Sequence, residues 1–217
     1  TRRSSDLFTE IEGASFAMPF MTAHISLHFR ANVKKDDTVL ITGGAGAVGN
    51  AAIQLAKKAG AFVIATAGNE EKADICKNAG ADEIILYKEK DVVEEVTKLT
   101  NNEGVDIILE MSLSENMEKD LAMVKIGGKI VTIGSPVNNE PILPWRLLNQ
   151  KHASLMGILL FTTPKDVFVE AGNEISELMK KGEISPHVGV TFTFEEATKA
   201  HETLEAKKVN GSIVLVP

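Results

Sequence analysis

The chain has 217 residues, of which 44% are hydrophobic and 24% charged, enough for one large domain with a substantial apolar core. Its formal net charge of −7 argues against a nucleic-acid-binding protein, and no apolar run is long enough to span a bilayer. Cys76 is the only cysteine, so an intrachain disulfide is excluded. We expect a cytoplasmic protein in which Cys76 packs as a small apolar side chain.

The first 36 residues show no clear opening element. Ile25 and Phe29 are four residues apart, as on one face of a helix, and Asp36 with Asp37 predicts a turn. A regular alternation of strands and helices begins only after this turn.

Short runs of Val, Ile and Leu then alternate with helical patterns that end at glycine. Continuous apolar strands are typical of a parallel sheet covered on both faces, and right-handed crossovers between them give an open, doubly wound α/β sheet. The predicted strands span residues 38–42, 62–66, 83–86, 105–109, 129–133 and 154–160, and the predicted helices 47–59, 70–79, 91–99, 116–124 and 163–181.

The last thirty residues have a different pattern. Residues 188–194 alternate apolar and polar side chains, a helix is predicted from 194 to about 208, and a turn at Asn210 and Gly211 leads into a strand over 212–216. We expect this tail to lie outside the main sheet.

A glycine-rich turn over residues 43–49 separates the first predicted strand from the first predicted helix, and Gly44, Gly46 and Gly49 fit the pattern G-x-G-x-x-G. In a dinucleotide-binding turn the first glycine permits the sharp turn, the second makes room for a pyrophosphate, and the third lets helix and strand pack closely. The free N–H groups at the helix start then face the anion. The strand–turn–helix context supports this interpretation over a purely structural glycine cluster.

The residues after the second strand favour NADPH over NADH. An NAD site expects Asp or Glu there to bind the ribose 2′-hydroxyl, whereas this chain has residues 66–69, Thr-Ala-Gly-Asn. Lys72 could pair with a 2′-phosphate, or could simply be a solvated helix lysine. A methyltransferase is a third alternative, although it usually also carries an acid at this position.

Together these residues resemble the zinc-independent medium-chain dehydrogenase/reductases, in particular the NADPH:quinone oxidoreductase (zeta-crystallin-like) branch. The resemblance extends over about residues 13–217. It implies a Rossmann sheet with strand order 3-2-1-4-5-6 and remnants of a second, β-rich domain at both ends. The residues that carry it are 39–48, 66–71, 104–111, 127–131 and 157–161.

The resemblance also implies cofactor contacts along the chain. Besides Gly44 and Gly49 of the turn, the residues implied to contact the pyrophosphate are Ala45, Gly46, Ala47 and Val48. Those near the adenosine and its 2′-phosphate are Gly68, Lys72, Tyr87 and Lys207, and Asn116 matches a cofactor-binding asparagine of the family. Those near the nicotinamide and its ribose are Thr22, Ile133, Gly134, Ser135, Pro136 and Phe161.

The resemblance divides the chain into three segments and implies an activity. Residues 1–36 would be a remnant of the family's GroES-like catalytic domain with its connecting helix, 37–185 the dinucleotide-binding domain, and 186–217 a segment that packs on the catalytic domain. The expected reaction is hydride transfer from NADPH to a quinone or an α,β-unsaturated carbonyl. The alternative is an NADPH-binding module, truncated or crystallin-like, without catalysis of its own.

Two further expectations concern metals and assembly. Zinc-dependent relatives have a ligand cysteine near Thr22, where this chain has Met18, and only His24 and His28 have a ligand-like spacing, so we predict no metal and no catalytic residue. His24 replaces the family's usual aromatic residue, and its role stays open between packing and catalysis. The apolar edge strand over 154–160 predicts a homodimer.

Overall fold

A six-stranded parallel sheet forms the centre of the molecule. The computed structural model describes residues 9–135, 137–206 and 208–217. The strands are β1 (Thr38–Ile41), β2 (Phe62–Ala67), β3 (Glu83–Leu86), β4 (Val105–Glu110), β5 (Val124–Thr132) and β6 (Ser154–Gly157). Their order is β3-β2-β1-β4-β5-β6, and every pairing is parallel, which confirms the predicted doubly wound fold.

Helices cover both faces of this sheet. Along each central strand, neighbouring side chains enter opposite cores: Ile41 and Ile107 lie in one, Leu40 and Ile108 in the other. Burial on both faces explains why the strands read as continuous apolar runs. One core is covered by α1 (Glu10–His24), α2 (Ala47–Lys58), α3 (Glu70–Asn78) and α7 (Lys165–Lys180), and the other by α4 (Val92–Leu99), α5 (Leu113–Met123) and α6 (Trp145–Lys151).

The carboxyl ends of the strands meet at one edge of the sheet, where the topology reverses. β1 pairs with β2 on one side and with β4 on the other, so the connections after β1 and β4 leave toward opposite faces. Open α/β sheets bind their ligands in the crevice at such a switch point. The fold therefore directs attention to the loops after β1, β2 and β4.

A long helix lies before residue 37, where the sequence showed no clear opening element beyond the helical spacing of Ile25 and Phe29. Helix α1 begins at a capping box, in which the Thr9 hydroxyl accepts from the Glu12 N–H and the Glu12 carboxylate accepts from the Thr9 N–H. The helix contains Pro19 and continues as a π-helical segment, Ile25–Arg30. Both α1 and this segment pack against α2 and α7. The sequence Thr-x-x-Glu at residues 9–12 was the available signal.

Several boundaries differ from those predicted. α5 begins at Leu113, not at residue 116, because the Leu113 N–H is held by the carbonyl of Gly134. β5 begins at Val124, which pairs with Val105. β6 ends at Gly157, and a 3₁₀ turn follows at Leu160–Thr162. α6 was missed: it has only 7 residues, and the two that pack against the core, Leu147 and Leu148, are too few to show a helical periodicity.

The tail lies outside the main sheet, as expected, and it forms a separate two-stranded parallel sheet. It consists of β7 (Val188–Thr193), a 3₁₀ turn at Phe194–Glu196, α8 (Ala197–Glu205) and β8 (Ser212–Val216). Both strands contact α1, and Gly211 bridges to Gly46 of the glycine turn. Within the described part of the chain, no helix has the length and apolar character needed to cross a membrane.

Candidate functional site

The glycine turn presents a row of free N–H groups at the switch point. Gly46 caps α2 in an extended conformation, and the first intrahelical hydrogen bond runs from the Asn50 N–H to the Gly46 carbonyl, at 2.8 Å. The N–H groups of Ala47, Val48 and Gly49 therefore have no acceptor inside the helix. Together with the helix dipole they form an anion-binding position of the kind that holds phosphates.

The glycines of this turn have distinct structural roles. Gly43 adopts a left-handed conformation, with φ +62°, so it provides the turn that the sequence analysis assigned to Gly44. A Cβ atom on Gly44 would lie 2.8 Å from the Cys76 sulfur, so Gly44 serves close packing. A Cβ on Gly49 would lie 2.4 Å from the Gly43 carbonyl oxygen, which confirms the close strand–helix contact predicted for it. A Cβ atom on Gly46 would contact only the Gly43 carbonyl oxygen, at 3.3 Å.

The end of β2 supports the turn from the side. The Thr66 hydroxyl accepts from the Gly43 N–H at 3.1 Å, and the Thr66 carbonyl accepts from the Gly44 N–H at 3.1 Å. Asn69 then caps α3 by accepting from the Lys72 N–H at 3.0 Å. The polar residues at this strand end are thus Thr and Asn, and Lys72 lies one turn into α3.

Tyr87 lies beside Gly68. A Cβ atom on Gly68 would lie 2.9 Å from the Tyr87 hydroxyl oxygen, so a larger residue there would displace the ring. The Tyr87 N–H donates to the Ala67 carbonyl at 3.1 Å, which fixes this residue at the end of β3. Its side chain is half exposed.

A cleft of about 580 Å³ opens between these strand ends. It unites two residues that only the family resemblance had singled out, Tyr87 and Asn116, with Gly43 of the turn. Thr22 on α1 and Phe161, which is 82% exposed, lie outside its lining. Pro136 and Lys207 fall outside the described residues. The cleft is lined by Thr42, Gly43, Thr66, Tyr87, Lys90, Asp91, Val92, Met111, Ser112, Glu115, Asn116, Lys119, Asp120 and Met123.

The turn after β5 lies against the loop after β4. The N–H of Ile133 donates to the Glu110 carbonyl at 2.9 Å, and the Ser114 N–H donates to the Ser135 hydroxyl at 3.2 Å. A Cβ on Gly134 would lie 2.8 Å from the Met111 carbonyl oxygen. Ile133, Gly134 and Ser135 therefore border the same switch point as Asn116.

Two buried carboxyl groups beneath the cleft were missed by the sequence analysis. Glu110, at the end of β4, and Asp120, on α5, are both fully buried. Oε1 of Glu110 accepts from the Thr42 hydroxyl at 3.1 Å, from the Asn116 side-chain amide at 3.1 Å and from the Ser112 N–H. Burial, and then the adjacent Glu110 carboxyl, raise the pKa of Asp120 to about 9.

His24 and Cys76 are packed residues. His24 is buried between α1 and α7, and its Nε2 contacts the Glu174 carboxylate at 2.7 Å. It does not line the cleft, and its burial and its contact with Glu174 agree with a packing role. Cys76 is buried as expected, and burial raises the pKa of its thiol to about 12.

Comparison with known proteins decides the family. The family model described as "Zinc-binding dehydrogenase" matches residues 47–177, more than half of the chain. The chain belongs to the zinc-binding dehydrogenase family. This match begins at the helix of the glycine turn and extends through most of α7.

The chain is similar to quinone oxidoreductases, which confirms the resemblance predicted from the sequence. The human quinone oxidoreductase is 32% identical over 206 residues, covering 94% of this chain and 62% of the relative. The structure of the Escherichia coli quinone oxidoreductase complexed with NADPH superposes with a TM-score of 0.89 at 28% identity, covering 98% of this chain and 67% of that one. An NAD-dependent alcohol dehydrogenase has the same TM-score at 30% identity, with coverages of 98% and 60%.

Two facts limit what the family name implies for this chain. The chain spans 62% of the length of the human relative. Among the described residues, no group of three or more His, Cys, Asp and Glu side chains is arranged to hold a metal ion.

Proposed function

We propose that the chain binds NADPH across the glycine turn and the adjoining cleft. The observation that carries this proposal is the start of α2 at the switch point, where the N–H groups of Val48 and Gly49 have no acceptor inside the helix and Gly43 of the same turn lines the cleft. The E. coli relative, in complex with NADPH, has the same fold. The pyrophosphate would bind these N–H groups, because a helix N-terminus next to glycine accommodates an anion without a blocking Cβ.

The residues around the adenosine favour NADPH over NADH. β2 ends without a carboxylate that would repel a 2′-phosphate, and Lys72 lies on the first turn of α3. Tyr87 offers an aromatic face beside Gly68, and Asn116, whose amide nitrogen donates to Glu110, has an amide oxygen that can accept from a ribose hydroxyl. Ile133, Gly134 and Ser135, with Thr22, Phe161 and the undescribed Pro136, would extend the site toward the nicotinamide, and Lys207 toward the 2′-phosphate.

For the protein that contains this chain, we propose NADPH-dependent reduction of a quinone or an α,β-unsaturated carbonyl. NADPH supplies the hydride, and the contribution of these residues is to bind the cofactor, fix its orientation and exclude water. No protein nucleophile is needed for that chemistry. The names of the human and E. coli relatives support the assignment of the substrate class. Family membership counts against the methyltransferase alternative.

Direct binding and turnover measurements on this chain separate the two remaining hypotheses. Titration should show a lower Kd for NADPH than for NADH and none for S-adenosylmethionine. Oxidation of NADPH at 340 nm in the presence of a simple benzoquinone would support an oxidoreductase that acts by itself. Tight NADPH binding without turnover would support the binding module, and failure to bind NADPH would refute both.

We also propose a homodimer that forms through β6. This strand is at the edge of the sheet, and Leu155, Leu159 and Phe161 expose apolar surface on it and on the segment that follows. Unpaired strand edges with apolar side chains favour pairing with another copy. Sedimentation velocity at micromolar concentration should give a dimer, and Leu155→Lys should give a monomer. A monomeric wild-type chain would refute the proposal.

We infer a cytoplasmic location. The support is the single, buried Cys76, which neither forms nor needs a disulfide, together with an NADPH-dependent activity that belongs in a reducing compartment. Cell fractionation of the tagged full-length protein should recover it in the cytoplasmic fraction, and recovery in an oxidising compartment would contradict this assignment.

A further inference from the structure

The buried pair of Glu110 and Asp120 presents a hydrogen-bonding problem. All three donors to the pair reach one atom, Oε1 of Glu110. Among the described residues, Oε2 of Glu110 and both carboxyl oxygens of Asp120 are buried without an N–H or O–H donor. Buried acceptors without partners are costly, and two adjacent carboxylates cannot both remain charged in a dry site.

A proton held between the two groups resolves this problem. The side chains of Asp120 and Glu110 lie within hydrogen-bonding reach of each other, so a protonated Asp120 can donate to Oε2 of Glu110. The pair then carries a single negative charge, and that charge is stabilised by the three donors on Oε1. The raised pKa of Asp120 has the direction that this arrangement requires.

The three groups that donate to Glu110 connect the buried pair to the cleft. Thr42 donates to Glu110 and accepts from the Met111 N–H at 2.8 Å, so it joins the ends of β1 and β4. Ser112 and Asn116 belong to the connection that follows β4, and Asn116 lines the cleft. The orientation of its amide is set by Glu110, with the nitrogen directed toward the carboxylate.

We propose that Glu110 and Asp120 share one proton and act as a positioning pair, which holds Asn116 and the loop after β4 in the geometry that binds the adenosine half of NADPH. The second half of this statement rests on the proposed NADPH-binding function. Loss of the shared proton would place two charges in a buried site and would release the loop. Both folding stability and NADPH affinity should therefore fall in alkaline solution.

The pH dependence that comes from the pair must be distinguished from that of other titratable groups nearby. Glu110 faces Asp120 from β4 and Lys119 neighbours it on α5. The remaining titratable groups that line the cleft are Tyr87, Lys90, Asp91 and Glu115. The variant Asp120→Asn leaves all of these in place and keeps the donor to Glu110 with the same total charge, so its difference from wild type isolates the shared proton.

The first measurement does not involve NADPH. Urea unfolding is followed between pH 6 and pH 10 for wild type, Asp120→Asn and the control Glu118→Gln, an exposed carboxylate on the same helix. The unfolding equilibrium constant of wild type relative to Asp120→Asn should rise about tenfold per pH unit up to pH 9 and level off above it, since one proton is released on unfolding. Equal pH profiles for wild type and Asp120→Asn would overturn the shared proton.

The second measurement tests the positioning role through the Kd for NADPH. Wild type should lose affinity several-fold between pH 7 and pH 9.5, Asp120→Asn should change less than about twofold, and Asp120→Leu, which removes the donor, should bind weakly at every pH. Equal NADPH affinities of Asp120→Leu and wild type would overturn the positioning role. If Asp120→Leu does not fold, the comparison with Asp120→Asn decides alone. A wild type that binds no NADPH at any pH refutes the proposed function, while the unfolding profiles still decide the shared proton.

Discussion

The N–H of Gly211 donates to the carbonyl of Ala45 at 3.0 Å, which fastens the C-terminal tail to the glycine turn. Beside this bond, Asn210 donates to the Glu71 carboxylate at 3.2 Å, so the tail also contacts α3. Gly211 adopts φ +84°, and a Cβ atom there would lie 2.4 Å from the His187 carbonyl oxygen. The glycine turn is thus supported by a segment that is far away in the sequence.

The variant Gly211→Ala should loosen this attachment. A left-handed alanine costs roughly 1 to 2 kcal/mol, and the overlap with His187 adds to that cost. Gly182→Ala is the matched control, because Gly182 has φ +68° but open space around it. We expect both variants to lose stability in urea unfolding and only Gly211→Ala to lose NADPH affinity, several-fold. Equal NADPH Kd values for the two variants would show that the tail does not support the turn.

Close packing at Gly49 should be equally intolerant of a methyl group. A Cβ there would lie 2.4 Å from the Gly43 carbonyl oxygen, so Gly49→Ala must move the turn away from the helix start. We expect a loss of about 1 to 3 kcal/mol in unfolding free energy and at least tenfold in NADPH affinity. Gly172→Ala, in α7 with nothing within 4 Å, should instead gain up to about 1 kcal/mol from the better helix former. Unchanged NADPH binding by Gly49→Ala would remove the turn from the site.

Lys72 should distinguish the two nicotinamide cofactors. If its ammonium pairs with the 2′-phosphate, Lys72→Ala should raise the Kd for NADPH about tenfold, the size of one charge-assisted hydrogen bond, and leave that for NADH nearly unchanged. The control is Lys77→Ala, an exposed lysine farther along α3. The titrations are repeated at high salt, where the discrimination should shrink. If Lys72→Ala weakened the binding of NADPH and NADH equally, Lys72 would contribute only a general electrostatic attraction to both cofactors.

The sheet could be predicted from the sequence because its signals are local. A strand buried on both faces must be apolar at every buried position, as at residues 39–41 and 107–109, and the glycine turn follows soon after the first of them. The strand order could be predicted as well, once the residues were recognised as resembling a known family. Residues such as Tyr87 and Asn116 required that pattern, because each is a surface residue of its own element.

The features that the sequence did not predict depend on contacts between residues that are far apart in the chain. Glu110 follows an apolar strand and Asp120 sits on a helix, and only the packing of α5 against β4 brings the two acids together. The contact of Gly211 with Ala45 likewise joins distant parts of the chain. Helix α1 could not be recognised from its apolar pattern for another reason. Its buried residues include Ser15 and His24, so it lacks a continuous apolar face despite its capping box.

The histidine pair at the end of α1 should make the fold sensitive to acid. Burial, and then the neighbouring His24 ring at 4.4 Å, lower the pKa of His28 to about 4, while Glu174 acts in the opposite direction. His28 is therefore neutral in the folded chain at pH 5, whereas the unfolded chain binds a proton below about pH 6.5. The stability that this site contributes is complete above pH 6.5 and is lost as the pH falls toward 4.

The test compares urea unfolding of wild type and His28→Gln at several pH values between 7 and 4.5. We expect wild type to lose about 1 to 2 kcal/mol more than His28→Gln over this range, a figure that allows for the partial solvent access of the ring. Carboxylates that titrate over the same range are common to both proteins and cancel in the difference. His201→Gln, an exposed histidine on α8, should follow the wild-type profile. A His28→Gln profile as steep as that of wild type would show that His28 is already charged in the folded chain, and the inferred burial of a neutral imidazole would then be wrong.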